Sequence, residues 1–90
     1  MTTAAEAPVR LYTTPWCPFC INAKRLLQEK GIVFEDINVA KDPGLRAEAS
    51  QAAGGWPTVP MIFIKGQFVG GFSELSKLDR SGELTALLTS

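Results

Sequence analysis

The sequence has no histidine and only two cysteines among its 90 residues. Without histidine, neither a His-dependent catalytic triad nor a His-ligated metal site can form. Two cysteines are too few for the set of disulfides that holds a small secreted domain together. Nucleophilic or acid–base chemistry must therefore come from other side chains, and a reducing cytoplasm is the expected location.

Net charge and long apolar runs are also lacking. Nine basic residues balance nine acidic ones, so the chain has no overall field that would gather phosphates, and neither nucleic acid nor an acidic membrane is an expected partner. No stretch has the length and hydrophobicity of a membrane span. Residues 1–7 have neither the basic start nor the apolar core of a signal peptide.

What the chain does contain is typical of one folded domain. Hydrophobic residues make up 46% of it and charged residues 20%, which is ordinary for a packed globular protein. A chain of this length forms a single domain. We expect a flexible N-terminal tail over residues 1–8, without periodicity, and one domain over residues 9–90.

Hydrophobic periodicity and turn residues divide that domain into a short series of elements. The pattern predicts a strand over 9–13, an amphipathic helix over 18–30 stopped by Gly31, a strand over 32–39, a helix opened by Asp42-Pro43 and closed by Gly54-Gly55, a hairpin of strands over 61–64 and 67–70, and an amphipathic C-terminal region interrupted near Ser81-Gly82. The order β-α-β-α-β-β-α favours an α/β fold with a parallel pair and an antiparallel hairpin. We therefore expect a four-stranded mixed sheet flanked by helices.

The two cysteines form the motif Cys17-Pro18-Phe19-Cys20, between the first strand and the first helix. At the helix N-terminus, unpaired N–H groups and the positive end of the helix dipole favour the thiolate of Cys17, which makes it a nucleophile. Cys20 lies one turn further on nearly the same face, where it can attack a mixed disulfide formed at Cys17. The pair is predicted to form a reversible, redox-active disulfide.

The residues alone leave two other interpretations of the cysteine pair open. A zinc site takes about four ligands, so this chain would need to dimerise to supply them. A purely structural disulfide would close a very short loop, which gains little chain entropy, and it would not persist in a reducing compartment.

The sequence resembles the glutaredoxins, which are glutathione-dependent members of the thioredoxin-fold superfamily. Three separated segments carry the resemblance: Tyr12-Thr13 leading into the cysteine motif, Thr58-Val59-Pro60, and Gly70-Gly71-Phe72-Ser73. The resemblance implies a thioredoxin-like fold and a glutathione-dependent thiol–disulfide oxidoreductase. It further implies glutathione as co-substrate, glutathionylated or disulfide-containing proteins as partners, a monomer, and no metal.

The resemblance also implies a groove for glutathione beside Cys17. In such chains the Val59-Pro60 bond is cis, and the backbone of Val59 pairs with the peptide. The backbone N–H groups of Phe72 and Ser73 hold the γ-glutamyl carboxylate, with the Ser73 hydroxyl capping the helix and donating to that carboxylate. The residues implied to build the groove are Phe19, Thr58, Val59, Pro60, Gly71, Phe72 and Ser73.

Three positions bear on how far the resemblance extends. Phe19 replaces the tyrosine common in the family motif, and Thr14 stands where many relatives carry a lysine for the glycyl carboxylate. Trp56-Pro57 resembles the segment of single-cysteine glutaredoxins, many of which bind iron–sulfur clusters, although Trp56 is interpreted here as a half-buried packing residue.

Two alternative functions follow: a dimer that holds an iron–sulfur cluster with glutathione, and an electron donor reduced by thioredoxin reductase.

Overall fold

The computed structural model describes residues 8–89. Most of the tail predicted over residues 1–8 therefore lies outside the described residues. The exception is Pro8, whose carbonyl accepts a hydrogen bond of 2.8 Å from the N–H of Lys65. This bond ties the start of the first strand to the hairpin.

Four strands and four helices form between residues 8 and 89. They are β1 (Val9–Thr13), α1 (Pro18–Glu29), β2 (Phe34–Asn38), α2 (Pro43–Ala52), β3 (Met61–Ile64), β4 (Gln67–Gly70), α3 (Phe72–Ser81) and α4 (Glu83–Thr89). The interruption predicted near Ser81-Gly82 divides the C-terminal region into two helices, at Gly82 with φ of 84°. The element order thus gains an eighth member, α4. None of the described helices is long and apolar enough to cross a membrane.

The strands form one mixed sheet in the order β2-β1-β3-β4. β1 pairs in parallel with β2, since α1 connects them as a crossover, and antiparallel with β3. β3 and β4 form the antiparallel hairpin. The predicted four-stranded mixed sheet is confirmed.

The two faces of the sheet are covered differently. On one face, alternate residues of β1 and β3 pack against α1, α3 and α4, and this core cluster comprises Val9, Leu11, Ala23, Leu27, Ile62, Ile64, Leu75 and Leu84. On the other face, an edge-to-face pair of Tyr12 and Phe63 continues to Phe68. Ala52 of α2 lines a cavity together with Tyr12 and Phe63, so α2 covers this second face. The helices therefore flank the sheet on both sides, as expected.

Local signals explain where the helices begin and end. Asp42 caps α2, because its side-chain oxygen accepts a hydrogen bond of 2.9 Å from the N–H of Leu45. Gly31 has a φ of 69° just after α1, a conformation that favours glycine and ends the helix. The N–H of Ile32 bonds back to the carbonyl of Leu27, which is why β2 begins at Phe34, later than the predicted residue 32. At its other end, β2 stops at Asn38, one residue before the predicted 39.

Candidate active site around Cys17

Cys17 occupies the N-cap of α1, with Pro18 in the first turn. Its Sγ accepts a hydrogen bond of 3.2 Å from the N–H of Cys20. In the thiol form it donates to the carbonyl of Val59, 3.6 Å away. Cys17 is partly exposed. A sulfur that accepts an N–H at a helix N-terminus and reaches solvent is placed as a nucleophilic thiol requires.

In contrast to Cys17, Cys20 is fully buried, with 0% of its surface exposed. The pKa of the Cys20 thiol is raised from 9.0 to about 12, first by burial and second by its hydrogen bond with Cys17. A backbone hydrogen bond from Thr14 and the charge of Lys24 act in the opposite direction. Near neutral pH, Cys20 is therefore a buried, protonated thiol one helical turn from Cys17.

The loop before β3 brings a backbone edge to Cys17. The peptide bond between Val59 and Pro60 is cis, which confirms the expectation from the resemblance. Because the Val59 carbonyl lies against the Cys17 sulfur, the neighbouring backbone of this loop lies beside the reactive atom. An extended peptide whose sulfur meets Cys17 would run along this loop.

A groove of about 170 Å³ adjoins the loop and ends at the N-terminus of α3. The aromatic rings of Phe19 and Phe72 flank it, with ring centroids 6.4 Å apart and an interplanar angle of 26°. All seven residues expected to build the groove line it together: Phe19, Thr58, Val59, Pro60, Gly71, Phe72 and Ser73. Elements far apart in the sequence thus meet at one surface beside α1.

The N-terminus of α3 is capped differently from the expectation for Ser73. Gly71 is the N-cap, and Glu74 Oε1 accepts a hydrogen bond of 2.8 Å from its N–H. Ser73 lies inside the first turn and is exposed, so the expected capping role belongs to Glu74 instead. The first N–H groups of a helix have no partner within it, which leaves those of Phe72 and Ser73 for an anion.

Two groove residues were missed when the sequence was read for the site. Glu74 lines the groove, and its spacing of three residues after Gly71 is that of an N-terminal capping residue, a signal the sequence did contain. Trp56 is half-buried as expected, with its ring 5.2 Å from that of Phe68, yet it also lines the groove. Its position there depends on the packing of two distant segments, so no local pattern reveals it.

The charges around the groove are few. Glu74 is the charged member of its lining. Thr14, at the position where many relatives carry a lysine, is 6% exposed and uncharged. Between residues 8 and 89, no cluster of three or more His, Cys, Asp and Glu side chains is arranged to hold a metal ion. The cysteine pair is thus not joined by further metal ligands in this part of the chain.

The fold and the site together define a class. A mixed sheet in the order β2-β1-β3-β4, a cysteine pair at the start of α1 and a cis-proline loop before β3 are the features of a thioredoxin-like fold with a dithiol site. The family model that matches the chain is that of glutaredoxin, over residues 9–69. The chain therefore belongs to the glutaredoxin family of thiol–disulfide oxidoreductases.

Known relatives agree with this assignment. A glutaredoxin of Pseudomonas aeruginosa is 51% identical over 91% of this chain and 96% of its own. A crystal structure of a wheat glutaredoxin superposes with a TM-score of 0.85 at 32% identity, covering 96% of this chain and 83% of that one. A buckwheat glutaredoxin solved as a complex with glutathione gives a TM-score of 0.85 at 27% identity, over 92% and 77% of the two chains.

Proposed function

We propose that this protein uses glutathione to reduce protein–glutathione mixed disulfides and protein disulfides, with Cys17 as nucleophile and Cys20 as resolving cysteine. The observation that carries the proposal is the partly exposed Cys17 sulfur, which accepts the Cys20 N–H at the start of α1. The Val59 carbonyl beside that sulfur borders a groove of the kind a tripeptide needs. A protein of this family has been solved with glutathione bound.

The reduction of a mixed disulfide needs only Cys17. Its thiolate attacks the glutathionyl sulfur, the bond to the protein sulfur breaks, and the protein leaves as a thiolate that takes up a proton. A second glutathione thiolate then attacks the glutathionyl sulfur on Cys17. Glutathione disulfide leaves and the Cys17 thiolate returns, so the cycle consumes one free glutathione, and the other half of the glutathione disulfide is the glutathionyl group of the substrate.

The reduction of a protein disulfide uses both cysteines. The Cys17 thiolate attacks one sulfur of the target, the S–S bond of the target breaks, and its other sulfur leaves as a thiolate that takes up a proton. Cys20 then attacks Cys17 Sγ, and the bond from Cys17 to the target breaks. The target leaves fully reduced, and Cys17 and Cys20 are left as a disulfide. Two glutathione molecules reduce that disulfide and complete the cycle.

The groove recognises glutathione through its backbone and its carboxylate. The main chain of Val59 pairs with the peptide, and the N–H groups of Phe72 and Ser73 at the start of α3 hold the γ-glutamyl carboxylate. Phe19 and Phe72 flank the ligand as an apolar pair. A helix N-terminus suits a carboxylate, because its unpaired N–H groups and its dipole both favour negative charge.

A coupled assay tests this function directly. Consumption of NADPH is followed with glutathione, glutathione reductase and a small glutathione mixed disulfide as substrate, and turnover that depends on the protein supports the proposal. The same assay with thioredoxin reductase in place of glutathione and its reductase must show little turnover. Turnover with thioredoxin reductase alone would instead establish the electron-donor alternative.

The protein as proposed works as a monomer, without a resident metal, in a reducing compartment such as the cytoplasm. Its partners are glutathione and proteins that carry accessible disulfides. Purification without oxygen tests the iron–sulfur alternative at the same time. A colourless monomer agrees with the proposal, whereas a brown dimer with stoichiometric iron and glutathione contradicts it.

A further inference from the structure

The resolving step has a chemical difficulty that the cysteine motif alone does not solve. Cys20 must attack as a thiolate, because the thiol is a poor nucleophile. However, it is fully buried, and burial disfavours its charged form. A group near Cys20 that favours negative charge would therefore speed the two-cysteine route without affecting the one-cysteine route.

Lys24 lies where such a group would act. It follows Cys20 by four residues on α1, so the two residues are neighbours on one face of the helix. Among the charged groups that influence Cys20, Cys17 opposes the thiolate form and Lys24 favours it.

The ammonium of Lys24 is held in place by the edge of the sheet. Its Nζ lies 2.9 Å from Asp36 Oδ2 of β2. The other carboxylate oxygen of Asp36 accepts a hydrogen bond from the hydroxyl of Thr13, which is buried at the end of β1. The next residue, Thr14, supplies the backbone hydrogen bond to Cys20. Asp36 and Thr13 thus tie the lysine to the end of β1, next to the residue whose backbone bonds to Cys20.

We propose that Lys24, positioned by Asp36 and Thr13, assists the loss of the Cys20 proton in the resolving step. The inference rests on the proposed function, since it concerns the second of its two cysteine reactions. When the Cys20 proton passes to solvent, the Cys20 sulfur attacks Cys17 Sγ and the bond from Cys17 to the target sulfur breaks. The target sulfur leaves as a thiolate and takes up a proton from solvent, so atoms and charges balance. The positive charge of Lys24 stabilises the Cys20 thiolate that exists between these events.

A two-step release of a coloured thiolate separates the two cysteine reactions. Reduced protein is mixed with dithiobis(nitrobenzoate), and absorbance is followed by stopped flow. Attack by Cys17 releases the first nitrothiobenzoate, and attack by Cys20 on the resulting mixed disulfide releases the second. We expect Lys24→Gln to slow the second release by about threefold to tenfold near neutral pH, because loss of the positive charge lowers the fraction of Cys20 that is thiolate. The thiolate that does form is somewhat more nucleophilic, which offsets part of this loss. The first release should keep its rate.

Lys30→Gln is the matched control. Lys30 follows the same helix and pairs with Asp79 at 3.0 Å, so its replacement also removes one lysine and one ion pair. We expect wild-type rates for both releases in this variant, and Lys24→Arg, which keeps the charge, should restore most of the second rate. In Lys24→Gln, the proposed role predicts that the pH profile of the second release moves to higher pH while that of the first release stays unchanged. A purely structural role for Lys24 predicts no such selective shift.

Three results would overturn the inference: an unchanged second release in Lys24→Gln, equal slowing in Lys30→Gln, or equal slowing of both releases. Failure of the proposed function would look different. In that case the wild type itself would not turn over glutathione mixed disulfides in the coupled assay, whatever the effect of Lys24→Gln on the second release.

Discussion

Cys17 and Cys20 differ in exposure, and this difference supports the chemistry proposed for each of them. Cys17 is partly exposed beside the groove, and Cys20 is fully buried behind it. A substrate disulfide can reach the first sulfur and not the second. The interval of three residues places them within reach of each other on nearly the same side of the helix. Cys17 is the N-cap of α1, and Cys20 lies buried inside its first turn.

This division predicts distinct phenotypes for the two serine variants. Cys17→Ser should reduce every turnover to background, because no other accessible thiol is present within residues 8–89. Cys20→Ser should retain at least about half of the rate with glutathione mixed disulfides, since the one-cysteine route does not use it, and should lose the reduction of protein disulfides. Both rates are measured by NADPH consumption. Equal loss of both activities in the two variants would contradict the assignment.

The raised pKa of Cys20 also predicts how stability depends on pH. Between about pH 9 and pH 12, the folded protein keeps the Cys20 proton that the unfolded chain has lost. The unfolded state then binds fewer protons, so the free energy of unfolding of the reduced protein must fall as pH rises through this window. The fall should not exceed about 1.4 kcal/mol per pH unit for one group.

Denaturant unfolding of the reduced protein, measured at several pH values, checks this expectation. Cys20→Ser is the control, because it keeps every other group that titrates in this range and removes the thiol. The difference in stability between the two proteins should change steadily above pH 9 and stay constant below it. A constant difference across the whole range would show that Cys20 titrates normally.

At the scale of elements, the turn from β4 into α3 depends on glycine at one position. Gly70 has a φ of 125°, and a Cβ added there would lie 2.5 Å from Glu74 Cγ and 2.8 Å from Glu74 Cβ. The same glutamate accepts the N–H of Gly71 and so caps α3. The absence of a side chain at Gly70 is therefore what allows Glu74 to reach back over the helix N-terminus.

Gly70→Ala should lower the free energy of unfolding by about 2 to 4 kcal/mol, because backbone strain and a collision with Glu74 act together. Gly54→Ala is the matched control, since Gly54 has a φ of 77° with open space around it, and it should cost only about 1 kcal/mol. Unfolding in urea gives both values. Because the displaced Glu74 would disturb the groove, Gly70→Ala should also raise the KM for glutathione, and Gly54→Ala should leave it unchanged.

Elements with strong local signals were predictable from the sequence, and contacts between elements were not. The hairpin strands lie at the predicted residues 61–64 and 67–70, because two short apolar runs flank a turn at Lys65-Gly66. In contrast, β2 is shorter than predicted, since Ile32 bonds back to α1. That bond depends on the last turn of α1, and the apolar pattern of residues 32–39 gives no information about it.

The candidate site follows the same rule. The cysteine motif and the three family segments named the seven groove residues, which the fold does bring together. Glu74, and not Ser73, caps α3. Because the helix begins at Phe72, Ser73 lies inside the first turn and not at the N-cap. The role inferred for Lys24 could not be predicted from the sequence, since it depends on Asp36 of a neighbouring strand.

At the scale of the whole molecule, the core and the groove lie in different parts of the structure. The core cluster fills the space between one face of the sheet and α1, α3 and α4. The groove lies at the N-termini of α1 and α3, beside the loop that precedes β3. Such a separation lets the interior change in packing without moving the groups beside Cys17.

Leu84 tests this separation, because it is the buried residue through which α4 joins the core. It is 2% exposed and belongs to the core cluster, while none of residues 83–88, the part of α4 whose side chains the structure describes, lines the groove. Leu84→Ala should lower the free energy of unfolding by about 2 to 4 kcal/mol, as measured in urea. For a small domain whose total stability is only about 5 to 15 kcal/mol, this is a large fraction.

The same variant should nevertheless keep kcat/KM for a glutathione mixed disulfide within about twofold of the wild type at temperatures where it stays folded. Leu88→Ala is the matched control, because it makes the same change on the same helix at a half-buried position, and it should cost about 1 kcal/mol. If Leu84→Ala lowered activity in proportion to its loss of stability while remaining fully folded by circular dichroism, α4 would have to support the groove as well as the core. If activity and stability separate as expected, the catalytic surface depends on α1, the cis-proline loop and the start of α3, and α4 serves to close the interior.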